Sequence, residues 1–231
     1  MITEYCILPL GFIPKPESDE EDAELVQAVP SVSTVLLYGP SGSGKTTLVN
    51  MVASEAGANL FNLSAKNTAG QFVGKANVTK MVHMVFKVAK ATAPSIIYID
   101  NFELIFAKKI PKEDQTDPKR IRKDLLKQFK NLSPADRVVV MACSSKPWEA
   151  EAKLILPIFQ KFILCPKPDY PSRYSLWYEF IHKKIPLLMT GLNLSLLAHL
   201  SEHMSTGQIF LCCERAMTNR RMKLVFSFNH S

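Results

Sequence analysis

The sequence has 231 residues, of which 47% are hydrophobic and 21% are charged, and its formal net charge is +7 at pH 7. This length allows one large domain with a small second one, and the composition is that of a folded globular chain, which excludes fibrous and wholly disordered classes. A basic surface of this kind suits an acidic partner, such as a nucleotide, a nucleic acid or an acidic protein surface.

The first thirty residues are expected to form a lead-in segment that is rich in proline and acidic residues. They open with MITEYCILPLGF, in which no basic residue precedes the short apolar run, so a secretory signal peptide is not expected. No apolar run approaches the ~18 residues of a membrane-spanning helix. The five cysteines show no C-x-x-C spacing, which indicates a reducing compartment and no zinc site. We therefore predict a soluble, cytoplasmic chain without a membrane partner, and a solvated acidic loop at Glu17, Asp19, Glu20, Glu21, Asp22 and Glu24.

From residue 31 onward, short apolar runs alternate with amphipathic helical patterns. Strands are predicted at 34–38, 59–63, 95–99, 138–143 and 161–165, and helices at 45–56, 77–91 and 118–132. This alternation indicates an α/β domain with a doubly wound, buried parallel sheet over residues 31–168. After residue 168 the pattern is only helical, at 172–184, 194–204 and 207–223, which predicts a small helical domain over residues 169–231.

A glycine-rich motif directly follows the first predicted strand. Residues 39–46 read GPSGSGKT, which fits the phosphate-binding pattern G-x-x-x-x-G-K-[ST] between a strand and a helix. The glycines allow backbone N–H groups to converge on phosphate oxygens at a helix N-terminus. Lys45 would reach the β- and γ-phosphates, and the hydroxyl of Thr46 would bind Mg²⁺. The predicted nucleotide-binding residues are Gly39, Pro40, Ser41, Gly42, Ser43, Gly44, Lys45, Thr46 and Thr47.

A second Mg²⁺ ligand is expected at the end of a neighbouring strand. Asp100 follows the apolar run SIIYI, and open α/β sheets bind their ligands at the carboxyl ends of strands. The sequence therefore predicts a metal site at Thr46 and Asp100, with ATP and Mg²⁺ as cofactors.

These motifs and their spacing resemble those of the AAA+ ATPases. VVVMACSSKP is similar to the sensor strand of that family, and PKPD stands where its helical lid begins. The resemblance implies a P-loop NTPase with a small all-helical C-terminal lid, which looks truncated because only three helices are apparent. It also places Phe72, Val73 and Gly74 in the loop that faces the central pore of a hexameric ring. The alternative is that Phe72 is a packed aromatic residue.

Several longer stretches resemble the IQ motif and AAA domain-containing proteins, among them EAGANLFNLSAKN, VFKVAKATAPSIIYID and DPKRIRKDLLKQF. That family includes a subunit of the dynein regulatory complex of motile cilia and flagella. The resemblance implies an axonemal location and protein partners, with tubulin-associated proteins as one option. IQ motifs belong upstream in that family and none is present here, so we expect a short form or a fragment.

Three positions depart from the pattern of active AAA+ enzymes. Asn101 stands where the family has the glutamate that activates water, and an amide cannot accept a proton; Glu103 is the weak alternative. Residues 154–160, where the family's arginine fingers fall, contain no arginine, and Ser145 replaces the sensor asparagine. We therefore expect ATP binding with weak or lost hydrolysis, and we assign no catalytic residue.

Three functional hypotheses remain open from the sequence. The first is a nucleotide-binding structural or regulatory subunit, the second is an active hexameric ATPase that remodels a protein substrate, and the third is another P-loop class.

The basic segment 108–130 carries nine basic residues against four acids. From Pro118 we interpret it as an amphipathic helix whose basic face is either solvated or bound to an acidic protein. Nucleic acid is less favoured because the apolar stripe faces a core and no aromatic residues interleave with the charges. We interpret His83 and His199 as packing residues.

Overall fold

The structure is a computed structural model that describes residues 2–11, 32–72, 74–107, 117–184 and 192–218. The acidic block 17–24, Val73, residues 108–116 of the basic segment and residues 219–223 of the last predicted helix lie outside the described residues. By its contacts the chain divides into two units. The sheet unit comprises Met1–Tyr38 and Lys45–Leu164, and the helical unit comprises Gly39–Gly44 and Cys165–Ser231.

Five parallel strands run through the sheet unit in the order β2-β3-β4-β1-β5. Both β3 and β4 are buried at every position, as expected for the central strands of a parallel sheet, and this burial explains their continuous apolar runs. The predicted α/β fold with a parallel sheet is therefore confirmed. The strands are β1 (Thr34–Tyr38), β2 (Asn59–Asn62), β3 (Ser95–Ile99), β4 (Val138–Ser144) and β5 (Lys161–Leu164).

Seven α-helices are described in the sheet unit. They are α1 (Leu8–Gly11), α2 (Lys45–Glu55), α3 (Ala65–Thr68), α4 (Lys75–Ala91), α5 (Phe102–Phe106), α6 (Arg122–Lys130) and α7 (Ala152–Ile155). The longest, α4, buries a stripe at three- and four-residue spacing that includes Val78, Val82 and Phe86.

The predicted helix 118–132 consists of two parts. A 3₁₀ turn at Pro118–Ile121 precedes α6, because proline suits a first turn, where its missing N–H is not needed.

The interpretation of His83 and His199 as packing residues is wrong, since both side chains are exposed. His83 lies next to Val82 and outside the buried stripe of its helix.

The first residues of the chain pack in the sheet unit. A π-helical turn at Thr3–Ile7 leads into α1, and the side chains of Cys6 and Leu10 are both 0% exposed. Arg137 Nε donates a hydrogen bond of 2.9 Å to the carbonyl oxygen of Leu10. The ammonium of Lys161, on the edge strand β5, lies 4.4 Å from the ring centroid of Tyr5.

The helical unit contains α8 (Tyr170–Lys184), α9 (Leu194–Leu200) and α10 (Thr206–Ala216) in its described residues. Its core is formed mainly by Trp177, Ile181, Leu194, Ala198 and Ile209. The buried Trp177 donates its indole N–H to Ser201 Oγ at 3.0 Å. Across the described residues of both units, none of the helices has the length and apolar character needed to cross a membrane.

Candidate nucleotide-binding site

The loop Gly39–Gly44 depends on two of its glycines for its shape. A Cβ atom on Gly39 would lie 2.1 Å from the carbonyl oxygen of Cys165, so that only glycine fits there. Gly42 has a φ of +78°, and its carbonyl oxygen accepts a hydrogen bond of 2.9 Å from the N–H of Gly207 in α10. A further hydrogen bond from Ser43 N to Pro40 O, 3.3 Å long, closes a turn within the loop. The backbone is therefore compact, as a phosphate-binding loop requires.

The next three predicted residues form the first turn of α2. The side chain of Lys45 is only 7% exposed, whereas Thr46 and Thr47 are exposed. The hydroxyl of Thr46 lies 3.1 Å from the hydroxyl of Tyr98, a residue of β3. Tyr98 was not predicted as a site residue, although a polar side chain inside the run SIIYI was a detectable signal.

Tyr98 is buried, at 5% exposure, beside the predicted metal ligands. Burial raises the pKa of its hydroxyl strongly; the hydrogen bond with Thr46 opposes this shift, and the nearby carboxylate of Asp100 adds to it. Tyr98 is therefore a neutral hydroxyl, able to donate and to accept a hydrogen bond.

Asp100 follows β3 at the carboxyl end of the sheet. Its N–H donates to Ser64 Oγ at 2.8 Å, and its Oδ1 accepts a hydrogen bond of 2.9 Å from Asn101 N. The hydroxyl of Thr46 and the carboxylate of Asp100 are hard oxygen ligands of the kind Mg²⁺ prefers.

The described residues contain no cluster of three or more His, Cys, Asp or Glu that could hold a metal ion. Mg²⁺ usually keeps several waters and is shared with substrate phosphates, so the oxygens of Thr46 and Asp100 would fit it as the protein's ligands.

Asn101 and Glu103 lie in different surroundings. Asn101 has a φ of 47° and a ψ of 48°, a left-handed conformation that asparagine tolerates better than most residues, and it precedes α5. Glu103 is 4% exposed, and its Oε1 accepts a hydrogen bond of 3.3 Å from Ser145 N. The structure thus brings together Glu103 and Ser145, two residues that the sequence singled out separately.

The loop before α4 contains the predicted pore residues Phe72 and Gly74. Phe72 is 47% exposed and has a φ of 53°, so it is not the packed aromatic residue of the alternative interpretation. Arg120 donates one hydrogen bond to the carbonyl oxygen of Thr68 and another, of 2.9 Å, to that of Gln71. Sequence reasoning missed this role of Arg120, because its charge was interpreted only as part of a basic face.

Residues 154–160, which were expected to lack arginine fingers, pack within the sheet unit. Ile155 and Phe159 are buried, and Gln160 Oε1 accepts a hydrogen bond of 2.7 Å from Ser33 N. This segment therefore contributes packing, and it offers no cationic side chain.

A family comparison defines the class of this protein. The profile of the ATPase family associated with various cellular activities (AAA) matches residues 35–167, more than half of the chain. The chain therefore belongs to the AAA family of ATPases. The predicted AAA+ class is confirmed, and the hypothesis of another P-loop class is wrong.

Two similar proteins indicate the branch of the AAA family to which this chain is related. Dynein regulatory complex protein 11 of Mus musculus is 40% identical over 229 residues, which cover 96% of this chain and 26% of that protein. A proteasome-activating nucleotidase of Saccharolobus islandicus is 34% identical over 185 residues, which cover 79% of this chain and 46% of that protein. This chain thus spans less than half of the length of either relative. The predicted relationship to the family of the dynein regulatory complex subunit is confirmed at the level of the AAA domain.

A solved structure supports the same fold. The FIGL-1 AAA domain, crystallised in complex with ADP, matches with a TM-score of 0.69 and 25% sequence identity. The match covers 92% of this chain and 66% of that one.

Proposed function

We propose that this chain is an ATP- and Mg²⁺-binding AAA domain that acts as a structural or regulatory subunit and hydrolyses ATP weakly or not at all. The loop Gly39–Gly44 would supply backbone N–H groups to the phosphates, and Lys45 would supply a positive charge. Thr46 and Asp100 would hold Mg²⁺, which, when bound, neutralises charge on the phosphate oxygens.

The observation that carries the proposed loss of hydrolysis is the environment of Asn101 and Glu103. An amide at position 101 cannot take the proton of an attacking water, and a general base in that role is worth about 10²–10⁴ in rate. The side chain of Glu103 is only 4% exposed and one of its oxygens accepts a hydrogen bond from Ser145 N, so an attacking water has little access to it. Glu103 therefore does not replace the missing base.

The segment 154–160 supports the same proposal, because it contains no arginine that a neighbouring subunit could use. An arginine finger contributes about 10³–10⁵ to turnover in related phosphoryl transfer. Without a base and without a finger, nucleotide binding would regulate the conformation or assembly of the protein and would not drive a cycle.

The place of action that we propose is a ciliary or flagellar assembly of the dynein regulatory type, in the cytoplasm or axoneme. This proposal is supported by the similarity to Dynein regulatory complex protein 11, and by that similarity alone. The partners would be axonemal or tubulin-associated proteins, and nucleic acid would not be one of them.

The test measures ATP binding and phosphate release in the same sample of purified chain. We expect binding that Lys45→Ala abolishes, together with turnover close to background. Rapid turnover that is also lost in Lys45→Ala would contradict the proposal.

A repair variant tests the role of position 101. Asn101→Glu is expected to raise turnover, by at most about 10²–10⁴, because it restores a general base. Asn101→Gln is the matched control. Glutamine and glutamate both adopt the left-handed backbone of position 101 less readily than asparagine, but glutamine adds no carboxylate. An equal rise in both variants would show that the carboxylate is not responsible.

The second candidate function is an active hexameric ATPase that pulls a protein past Phe72. Two observations favour this function: the side chain of Phe72 is exposed on a backbone in the left-handed region, and Arg120 donates a hydrogen bond to the neighbouring carbonyl oxygen of Gln71. It requires a ring, so the mass of the chain in the presence of ATP separates the two functions. A monomer at all concentrations of ATP would eliminate the motor, whereas a hexamer whose turnover falls in Phe72→Ala would support it.

A further inference from the structure

Two helices of the sheet unit lie side by side and present lysines to solvent. Thr79 Oγ1 of α4 donates to Asp124 Oδ2 of α6 at 3.1 Å, and Lys90 Nζ donates to the carbonyl oxygen of Asn131 at 3.1 Å. Between these contacts the rings of Phe86 and Phe129 pack with centroids 6.2 Å apart. The two helices therefore form one continuous surface.

The outer side of this surface carries five exposed lysines. Two of them lie seven residues apart on α4, and three lie at four- and three-residue spacing on α6, so each set forms one row along its helix. We call this surface the lysine face, and its members are Lys80, Lys87, Lys123, Lys127 and Lys130.

The carboxylates near the lysine face are already used. α4 contains no acidic residue, and the single acid of α6, Asp124, accepts the hydrogen bond from Thr79. Asp136 forms an ion pair of 2.7 Å with Lys90, which is not a member of the face. In the part of the chain that the structure describes, no member of the lysine face is paired with a carboxylate. Like charges at these spacings repel one another, so an anionic partner that neutralises them would stabilise the face.

We infer that the lysine face binds an acidic, glutamate- or aspartate-rich protein segment. All five cations are ammonium groups, which act as point charges and pair with single carboxylates. Among its described residues the face has no exposed aromatic ring, on which bases would stack, and no exposed arginine fork, which pairs with a phosphate through two hydrogen bonds. The chemistry therefore favours an acidic protein over a nucleic acid.

The test uses the full chain and a fluorescent poly-glutamate peptide of about twenty residues, with binding measured by anisotropy at low and at physiological salt. The variant Lys80→Glu/Lys87→Glu/Lys127→Glu is expected to weaken binding by about tenfold, because three attractive charges become repulsive. The matched control is Lys66→Glu/Lys153→Glu/Lys183→Glu, which changes the net charge equally at exposed lysines elsewhere. It is expected to weaken binding by no more than about twofold.

Equal losses in the two triple variants would overturn the inference, because only net charge would then matter. Absence of peptide binding in the unaltered chain would also overturn it. A DNA duplex that binds more tightly than the peptide through the same lysines would assign the face to nucleic acid and contradict the inference. Thermal melting of both variants verifies that the charge reversals leave the fold intact.

A separate observation concerns Tyr98 and rests on the proposed function. A threonine hydroxyl has one proton and two lone pairs, so it binds a cation best when its proton is donated away from the cation. The hydroxyl of Tyr98, 3.1 Å from Thr46 Oγ1, is placed to accept that proton. The nearby carboxylate of Asp100 also raises the pKa of the Tyr98 hydroxyl, which keeps that hydroxyl protonated.

We propose that Tyr98 is a positioning residue that orients the Thr46 hydroxyl for Mg²⁺. Its buried phenol lies 3.1 Å from the Thr46 hydroxyl, and a buried hydroxyl needs such a hydrogen-bond partner. Phenylalanine at this position would keep the packing of the ring, so Tyr98→Phe tests the hydroxyl by itself.

The experiment measures the affinity of a fluorescent ATP analogue with Mg²⁺ and with EDTA, and the affinity for Mn²⁺ by electron paramagnetic resonance. Tyr98→Phe is expected to leave the affinity in EDTA unchanged and to reduce the gain from Mg²⁺ by about three- to tenfold. Thr46→Val removes the same contact from the other side, and adding Tyr98→Phe to it should cause no further loss.

A loss of affinity in EDTA as large as the loss in Mg²⁺ would show that Tyr98 acts only through packing. Losses that add in the double variant would contradict the connection with Thr46. If the unaltered chain binds no nucleotide, the proposed function itself fails. If it binds nucleotide and Tyr98→Phe keeps the full gain from Mg²⁺, only this inference fails.

Discussion

Glu103 is a buried carboxylate that is only half satisfied. Its Oε1 accepts the hydrogen bond from Ser145 N, whereas its Oε2 and the hydroxyl of Ser144 have no hydrogen-bond partner among the described residues. A buried charged or polar atom without a partner costs free energy of folding. These unpartnered atoms at the ends of β3 and β4 therefore lower the stability of the fold, as is common at functional sites.

Substitutions of Glu103 separate its charge from its hydrogen bond. Glu103→Gln keeps an oxygen that accepts from Ser145 N and removes the buried charge, so the free energy of unfolding should be unchanged or higher. Glu103→Ala removes the acceptor as well, and we expect a loss of about 1–3 kcal/mol. Urea denaturation of the two variants measures this difference. If Gln destabilises as much as Ala, the negative charge itself is required, and a direct role in the site must be reconsidered.

Among the structural elements, the loop before α4 depends on a residue that is distant in sequence. Arg120, in the 3₁₀ turn that precedes α6, donates to the carbonyl oxygens of Thr68 and Gln71. One side chain thus holds a loop that contains Gly70 and Phe72, both in the left-handed region.

Removal of this arginine should loosen the loop without unfolding the sheet. In Arg120→Ala we expect amide hydrogen exchange at residues 69–72 to accelerate by about tenfold or more, because hydrogen bonds from a charged donor are lost. Arg122→Ala is the control, since that guanidinium lies 5.3 Å from the ring centroid of Phe106 and 3.9 Å from Glu151. Equal acceleration in both variants would mean that a general loss of charge, and not the two hydrogen bonds, loosens the loop.

These elements also show how far the sequence could predict the structure. The central strands were predictable because burial on both faces makes their apolar runs continuous, and α4 because one buried side repeats every three or four residues. The contacts of Tyr98 with Thr46 and of Arg120 with Gln71 join residues 52 and 49 positions apart, and no local pattern encodes such a distance. The motif therefore predicted the identity of the nucleotide-binding residues, but the residues that position them required the fold.

For the molecule as a whole, the cysteines differ sharply in their surroundings. Cys6 and Cys143 are buried, whereas Cys212 is exposed. Burial raises the pKa of the Cys6 thiol to about 11, so this thiol remains protonated at pH values where an ordinary thiol begins to ionise.

We expect iodoacetamide at pH 8 to modify Cys212 well before Cys6, because only the thiolate reacts and Cys6 is neither ionised nor accessible. Mass spectrometry of the alkylated peptides over time measures the order. In urea the two rates should converge, since the raised pKa of Cys6 belongs to the folded state. Equal rates in the native protein would show that the first helical segment opens freely.

The burial of Cys6 and Leu10 bears on how this protein can be divided for experiments. A fragment that starts at residue 31, where the alternating pattern begins, would omit two side chains that are 0% exposed and would uncover the apolar surface beneath them. Burial of a leucine alone is worth about 1.5–3 kcal/mol, a substantial part of the stability of a single domain. Truncation studies of the AAA domain should therefore retain the first eleven residues, and poor yields from shorter fragments would reflect this missing helix and not an intrinsically unstable sheet.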